Sequence, residues 1–176
     1  GSVPPKNLMS AIEKGLNVIC MGLMEAELKG WCPVVVKTDP VKKCFKRIEN
    51  VPPELNGLSN SDWYWHGHIE YEALNLSGGM SAGDSNPALQ VVRHGLGRVV
   101  LCQVPPWMID EKARPYLRTS KRRANYMVAR ILANLGAEFR TPFCERVTAP
   151  VEKAWLNSFY IDVPVADDDP YRYYRW

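Results

Sequence analysis

The run Asn17-Val18-Ile19-Cys20-Met21-Gly22-Leu23 limits the possible folds more than any other stretch of this chain. Its apolar residues are continuous rather than alternating, and a glycine interrupts them, which is the pattern of a strand buried on both faces of a parallel sheet. Just before it, Asn7 to Lys14 sets Leu8, Met9, Ala11 and Ile12 at helical spacing and stops at Gly15. Helix, tight turn and buried strand are the punctuation of a doubly wound α/β fold. With 176 residues, 46% of them hydrophobic, the chain is long enough for one substantial core and short for two. The expectation is one α/β domain over residues 3–140, followed by a C-terminal extension over 141–176 that packs through its aromatic residues.

Further along, Pro33 to Lys37 and Phe45 to Ile48 read as short strands weakened by Pro33 and Pro40. The Pro-, Asn-, Gly- and Ser-rich stretch from Val51 to Asn60 reads as a loop leading to Trp63-Tyr64-Trp65-His66. His68 to Leu76 alternates well enough for a strand, and the glycines between Ser77 and Asn86 mark a flexible connection. Leu89 to His94 and Arg98 to Val104 are β-rich and separated by Gly95-Leu96-Gly97, a hairpin signal that makes part of the sheet antiparallel. From Thr119 to Leu135, Ala124, Met127, Val128, Ile131, Leu132 and Leu135 recur at three and four residues, and Gly136 sits where a helix closes.

A net charge of +3 gives no field that argues for nucleic acid. No apolar run approaches the roughly 20 residues that span a bilayer, so the chain reads as soluble and without a membrane partner. Its compartment is not legible. The five cysteines, Cys20, Cys32, Cys44, Cys102 and Cys144, form no Cys-x-x-Cys pair, so they signal neither a zinc site nor a dense disulfide framework. They read mostly as buried, reduced thiols.

Two strings carry a family resemblance: Arg93-His94-Gly95-Leu96-Gly97-Arg98-Val99-Val100-Leu101-Cys102-Gln103, and the helix segment from Arg122 to Gly136. Together they resemble the final hairpin and last helix of the class I glutamine-amidotransferase-like, flavodoxin-like domains attached to bacterial β-galactosidases and related glycoside hydrolases. The end of the chain, Asp168-Asp169-Pro170-Tyr171-Arg172-Tyr173-Tyr174-Arg175-Trp176, resembles the ends of such large bacterial proteins. The resemblance covers about Asn7 to Gly136 and implies a mainly parallel sheet with an antiparallel C-terminal hairpin and helices on both faces. It also implies an accessory domain that serves assembly or covers a neighbouring active site, with no cofactor. A flavodoxin-like sheet begins with strands ahead of the helix at Asn7, for which this chain has no room. The expectation is that these first strands are lacking here or that another element supplies the pairing. Unpaired backbone groups cost about 1–3 kcal/mol each when buried, so the open edge is expected to meet a neighbouring catalytic domain or a second subunit.

Three chemistries are worth weighing. A cysteine amidase or hydrolase of the amidotransferase type needs a thiolate on a strained strand-to-helix turn, a histidine base and a carboxylate to orient it. Val18-Ile19-Cys20-Met21-Gly22 partly matches the family's Gly-x-Cys-x-Gly elbow and puts Cys20 at the nucleophile position, but Val18 replaces the first glycine. Where the family's His-x-Glu pair follows the strand before the last helix, this chain has Val104-Pro105-Pro106-Trp107; His68-Ile69-Glu70 has the right residue types but stands too early. Contact with carbohydrate is the second, because Asp62, Trp63, Tyr64, Trp65, His66, His68, Glu70 and Tyr71, with Trp107 beyond, combine stacking rings with hydrogen-bonding partners for hydroxyls. Those residue types equally suit a core or a domain interface. The third, a carboxylate pair formed by Glu70 and Glu72 about 7 Å apart on one strand, fits acid/base work as well as an ordinary exposed face.

The basic group Arg114, Arg118, Lys121, Arg122 and Arg123 lies at the start of the last helix, where the macrodipole disfavours cations. Asp167-Asp168-Asp169 is an available partner, within the chain or between subunits. The reading that emerges is a non-catalytic accessory domain of a carbohydrate-processing protein, with the Cys20 hydrolase as the alternative.

Overall fold

A computed structural model describes residues 6–44, 48–63, 65–77 and 86–140, the side chains of 43, 44, 61, 65–69 and 77 excepted. The chain divides into two compact units, Gly1–Pro52 with Tyr64–Val104, and Pro53–Trp63 with Pro105–Trp176. The extension expected over 141–176 lies outside the described residues, and so do residues 45–47 of the short strand expected up to Ile48.

In the first unit, helix α1 (Leu8–Glu13) leads into strand β1 (Asn17–Met21), the four-residue helix α2 (Glu25–Leu28) and the long strand β2 (Val35–Cys44). Strands β3 (Trp65–Ser77), β4 (Leu89–His94) and β5 (Gly97–Cys102) follow. β5 lies between β1 and β4: it runs parallel to β1, with Asn17 opposite Arg98 and Met21 opposite Cys102, and antiparallel to β4. β2 and β3 form a separate antiparallel ladder from Val35 opposite Ser77 to Cys44 opposite Trp65.

This topology corrects the flavodoxin-like, mainly parallel sheet expected from the sequence. Among the described residues only β1 and β5 pair in parallel. The reason begins at the residues first read as a doubly buried strand. In β1 only Cys20 is buried and the other four residues are half-buried, so the apolar run is a sheet edge. The strands buried on both faces are β5, where Val99, Val100, Leu101 and Cys102 are each at most 2% exposed, and β4, where the same holds from Leu89 to Val92. Each parallel pair needs a crossover of a dozen or more residues; here much of the chain between 35 and 77 goes into one antiparallel ladder instead. Pro40 sits within that ladder opposite Glu72. Two strands alone leave both as edges, where a missing N–H is tolerated.

The unit's core joins both sheets. Val36 and Leu74 from the ladder meet Cys20, Val92, Val99 and Leu101 from the three-stranded sheet, with Ile12, Leu28 and Trp31 closing the cluster. Burying each Leu, Ile or Val side chain contributes roughly 1.5–3 kcal/mol, which favours this register over one slipped by a residue. The β4–β5 turn is Gly95-Leu96. Gly95 has φ +58 and no described non-glycine residue has positive φ, which makes it a type II′ turn. Its tip rests on the end of α1, where Leu96 N–H donates to Glu13 O at 3.0 Å. A Cβ on Gly97 would collide with the carbonyl oxygens of Ile12 and Leu16, so only glycine allows this approach.

In the second unit, short 3₁₀ turns at Pro53–Leu55, Pro106–Met108 and Pro115–Leu117 and the one-turn helix α3 (Asn60–Trp63) accompany the long helix α4 (Arg118–Asn134). The buried stripe of α4 is Ala124, Met127 and Ile131, at the three- and four-residue spacing of an amphipathic helix. Its end is a Schellman motif: Gly136, at φ +95, donates to Ala133 O at 3.0 Å and Ala137 N–H to Leu132 O at 2.9 Å. Beside the apolar stripe runs a row of donors one turn apart. Tyr126 Oη–H donates to Gly57 O at 2.9 Å, Arg130 Nε–H to Asn56 O at 2.9 Å, and Asn134 Nδ2–H to Glu54 O at 3.1 Å and Asn56 O at 2.8 Å. That row satisfies carbonyls of a loop too irregular to satisfy them itself. No helix among the described residues is long and apolar enough to cross a membrane.

Candidate functional site

Cys20 stands inside β1, opposite Leu101, not on a turn. It is 6% exposed, and burial, with the neighbouring Cys32 thiol adding to it, pushes its own thiol up to about 12. The backbone turns only two residues later, at Gly22 with φ +64, whose N–H donates to Cys102 O at 2.8 Å and extends the parallel ladder. Just beyond the carboxyl ends of β1 and β5, the buried Gln103 side chain donates from its amide to Leu23 O at 2.8 Å. Burial likewise pushes the Cys102 thiol up to about 11 and raises that of Cys32. Cys20, Cys32 and Cys102 are all free thiols. Cys144 and the side chain of Cys44 lie outside the described residues.

The aromatic and polar cluster read from the sequence is divided by the fold. Asp62 and Trp63 end α3 in the second unit, whereas Trp65, His66, His68, Glu70 and Tyr71 lie on β3 in the first. Trp63 is fully buried, its indole N–H donating to Asn60 Oδ1 at 2.9 Å, so it is part of the core and offers no face to a sugar. Tyr71 is buried as well, while Glu70 is exposed and Glu72 half-buried. Tyr64 and the side chains of Trp65, His66 and His68 lie outside the described residues. The ladder changes register here: between Val41 opposite Tyr71 and Lys43 opposite His66, residue 42 faces the stretch 67–70. His68 and Glu70 therefore lie in the stretch of β3 where the register shifts.

Asp62 is the buried ionisable group of α3. Its Oδ2 accepts the Ser59 N–H at 2.7 Å and the Ser59 hydroxyl at 3.2 Å, the carboxylate half of a capping box, and its Oδ1 has no hydrogen-bond partner among the described residues. Burial pushes this carboxyl up to about 6, against the opposing pull of the Ser59 N–H, the Arg123 guanidinium and the Ser59 hydroxyl. Burial in turn lowers the pKa of Arg123, and Asp62 raises it.

No family model, curated protein or solved structure matches this chain.

The remaining candidates lie on α4 and on two turns that pack on it. Trp107, on the turn Pro106–Met108, is 65% exposed, and Tyr116, on the turn Pro115–Leu117, is 62% exposed; both turns pack on α4. Between them Asp110 Oδ1 accepts the N–H groups of Lys112 and Ala113 at 3.0 Å each, and these bonds, with Lys121 and Lys112 nearby, lower its pKa. Glu111 pairs with Lys121 at 3.2 Å. The basic group expected to need an acidic partner thus finds part of one in its own unit, in Glu111 and Asp62. Asp167, Asp168 and Asp169 lie outside the described residues. Tyr116 was missed by sequence reasoning, because a lone tyrosine after proline carries no local mark of exposure. Among the described residues no three His, Cys, Asp or Glu side chains come together as a metal set.

Proposed function

We propose that this chain is a non-catalytic accessory domain of a carbohydrate-processing, glycoside-hydrolase-like protein, serving packing against a catalytic domain or second subunit, or weak contact with sugar. The observation that carries the non-catalytic part is the setting of Cys20. A nucleophilic cysteine works as a thiolate on an exposed, strained turn. Cys20 instead occupies regular strand, almost without solvent, with its thiol pushed up to about 12. At neutral pH a thiol of that kind is overwhelmingly protonated and behaves as a small hydrophobe.

The carbohydrate context rests on the resemblance of residues 93–103 and 122–136 to the amidotransferase-like domains of bacterial β-galactosidases. For sugar contact, the support is the exposed ring of Trp107, since Trp63 is committed to the core. The test compares hydrolysis of glutamine amides and activated esters by the wild-type chain and Cys20→Ala. Both are expected at the buffer background, and turnover that disappears with Cys20 would replace the accessory reading with a cysteine hydrolase.

A further inference from the structure

We infer that Asn56, in the pair Asn56-Gly57, is a site of spontaneous deamidation whose rate is set by the grip of α4 on the surrounding loop. The sequence holds one Asn-Gly pair, and it falls here. Such a pair is the most reactive setting for an asparagine, because glycine carries no side chain to shield the backbone nitrogen that attacks. The Gly57 nitrogen adds to Asn56 Cγ and gives up its proton, the Cγ–Nδ2 bond breaks, and ammonia departs to leave a five-membered succinimide. Water then opens that ring at either carbonyl, giving aspartate or isoaspartate at position 56. Asn56 is exposed, so water reaches it. Asn60, four residues on, is instead buried, and its Oδ1 accepts the Trp63 indole N–H.

The folded loop opposes the first step. Leu58 N–H donates to Leu55 O at 3.1 Å, Gly57 has φ +84 and Asn56 has negative φ, which together make residues 55–58 a type II turn. At the second residue of such a turn ψ is roughly +120°. That angle turns the Gly57 nitrogen away from the Asn56 side chain, so ring closure requires the peptide between them to rotate. Rotation carries Asn56 O away from the two donors that hold it, Arg130 Nε at 2.9 Å and Asn134 Nδ2 at 2.8 Å, while Tyr126 Oη at 2.9 Å holds Gly57 O on the other side. The Arg130 guanidinium also fills the place that a Gly57 Cβ would take. All of these groups belong to the second unit. Deamidation thus proceeds from states in which the loop has opened from α4. Isoaspartate adds a methylene to the main chain, so the converted loop cannot re-form the same turn.

The experiment follows the full chain at mildly alkaline pH by peptide mapping that measures aspartate and isoaspartate at position 56. In the folded wild type, conversion is expected to be slower than in denaturant by roughly tenfold or more. Tyr126→Phe and Asn134→Ala, shown to be folded by circular dichroism, should each speed it roughly fivefold, the gain in open loop that loss of one hydrogen bond brings. Ile12→Val, which weakens the core of the first unit by a comparable amount, should leave the rate at the wild-type value. Conversion in the folded wild type as fast as in denaturant overturns the inference, and that comparison needs no variant. Wild-type rates in both α4 variants overturn it as well. So does equal acceleration by Ile12→Val, which means that global unfolding alone exposes the bond. Absence of conversion even in denaturant shows that Asn56 is not a deamidation site.

Discussion

Asp62 holds its carboxyl in the interior of the second unit, and the consequence is a pH dependence with a definite sign. The folded chain keeps a proton on this group up to about pH 6, whereas an unfolded carboxyl releases it near 4. Across that window the native state binds more protons than the unfolded one, so stability from this group is complete below about pH 4 and lost as pH rises through about 6. Two pKa units correspond to about 3 kcal/mol. Urea unfolding of wild type and Asp62→Asn between pH 4 and pH 7 checks this: the wild type should gain on the variant by up to about 3 kcal/mol toward pH 4, and parallel curves would refute it. The sequence left Asp62 in a cluster that suits sugar contact or a core equally, because its neighbours are aromatic rings and polar groups. It gave no sign that α3 ends at Trp63 with both side chains turned inward, since burial of that kind is decided by α4, some 60 residues away in the chain.

Among elements, α4 was the most legible, from Thr119 to Leu135 in sequence and Arg118–Asn134 in the structure, because its apolar period and Gly136 are local signals. The β4–β5 hairpin was legible for the same reason, through Gly95-Leu96-Gly97. The pairing of β2 with β3 was not. Its partners lie far apart along the chain, a proline interrupts one strand and a register shift the other, and none of this leaves a periodic trace. Equally hidden was the donor row of Tyr126, Arg130 and Asn134, whose acceptors are backbone carbonyls 69 to 80 residues away. Each of these bonds contributes about 1 kcal/mol. Tyr126→Phe should therefore lower the unfolding free energy by about 1 kcal/mol and Asn134→Ala by somewhat more, as it removes two bonds, one to Glu54 O and one to Asn56 O, which keeps Arg130 as a donor. Urea midpoints unchanged in both variants would show that water replaces the row without loss.

At the scale of the whole molecule, a stretch that reads like the start of a doubly wound sheet is an edge strand beside a doubly buried one, with a separate ladder sharing its core. The nucleophile-like cysteine is absorbed into that core. Cys20 is thus a packing residue, and the non-catalytic reading stands or falls with it. Iodoacetamide labelling from pH 6 to pH 9, read at the Cys20 peptide by mass mapping, tests that most directly. Labelling should stay negligible in the folded chain over the whole range and become rapid only in denaturant; fast native-state alkylation of Cys20 below pH 8 would contradict it.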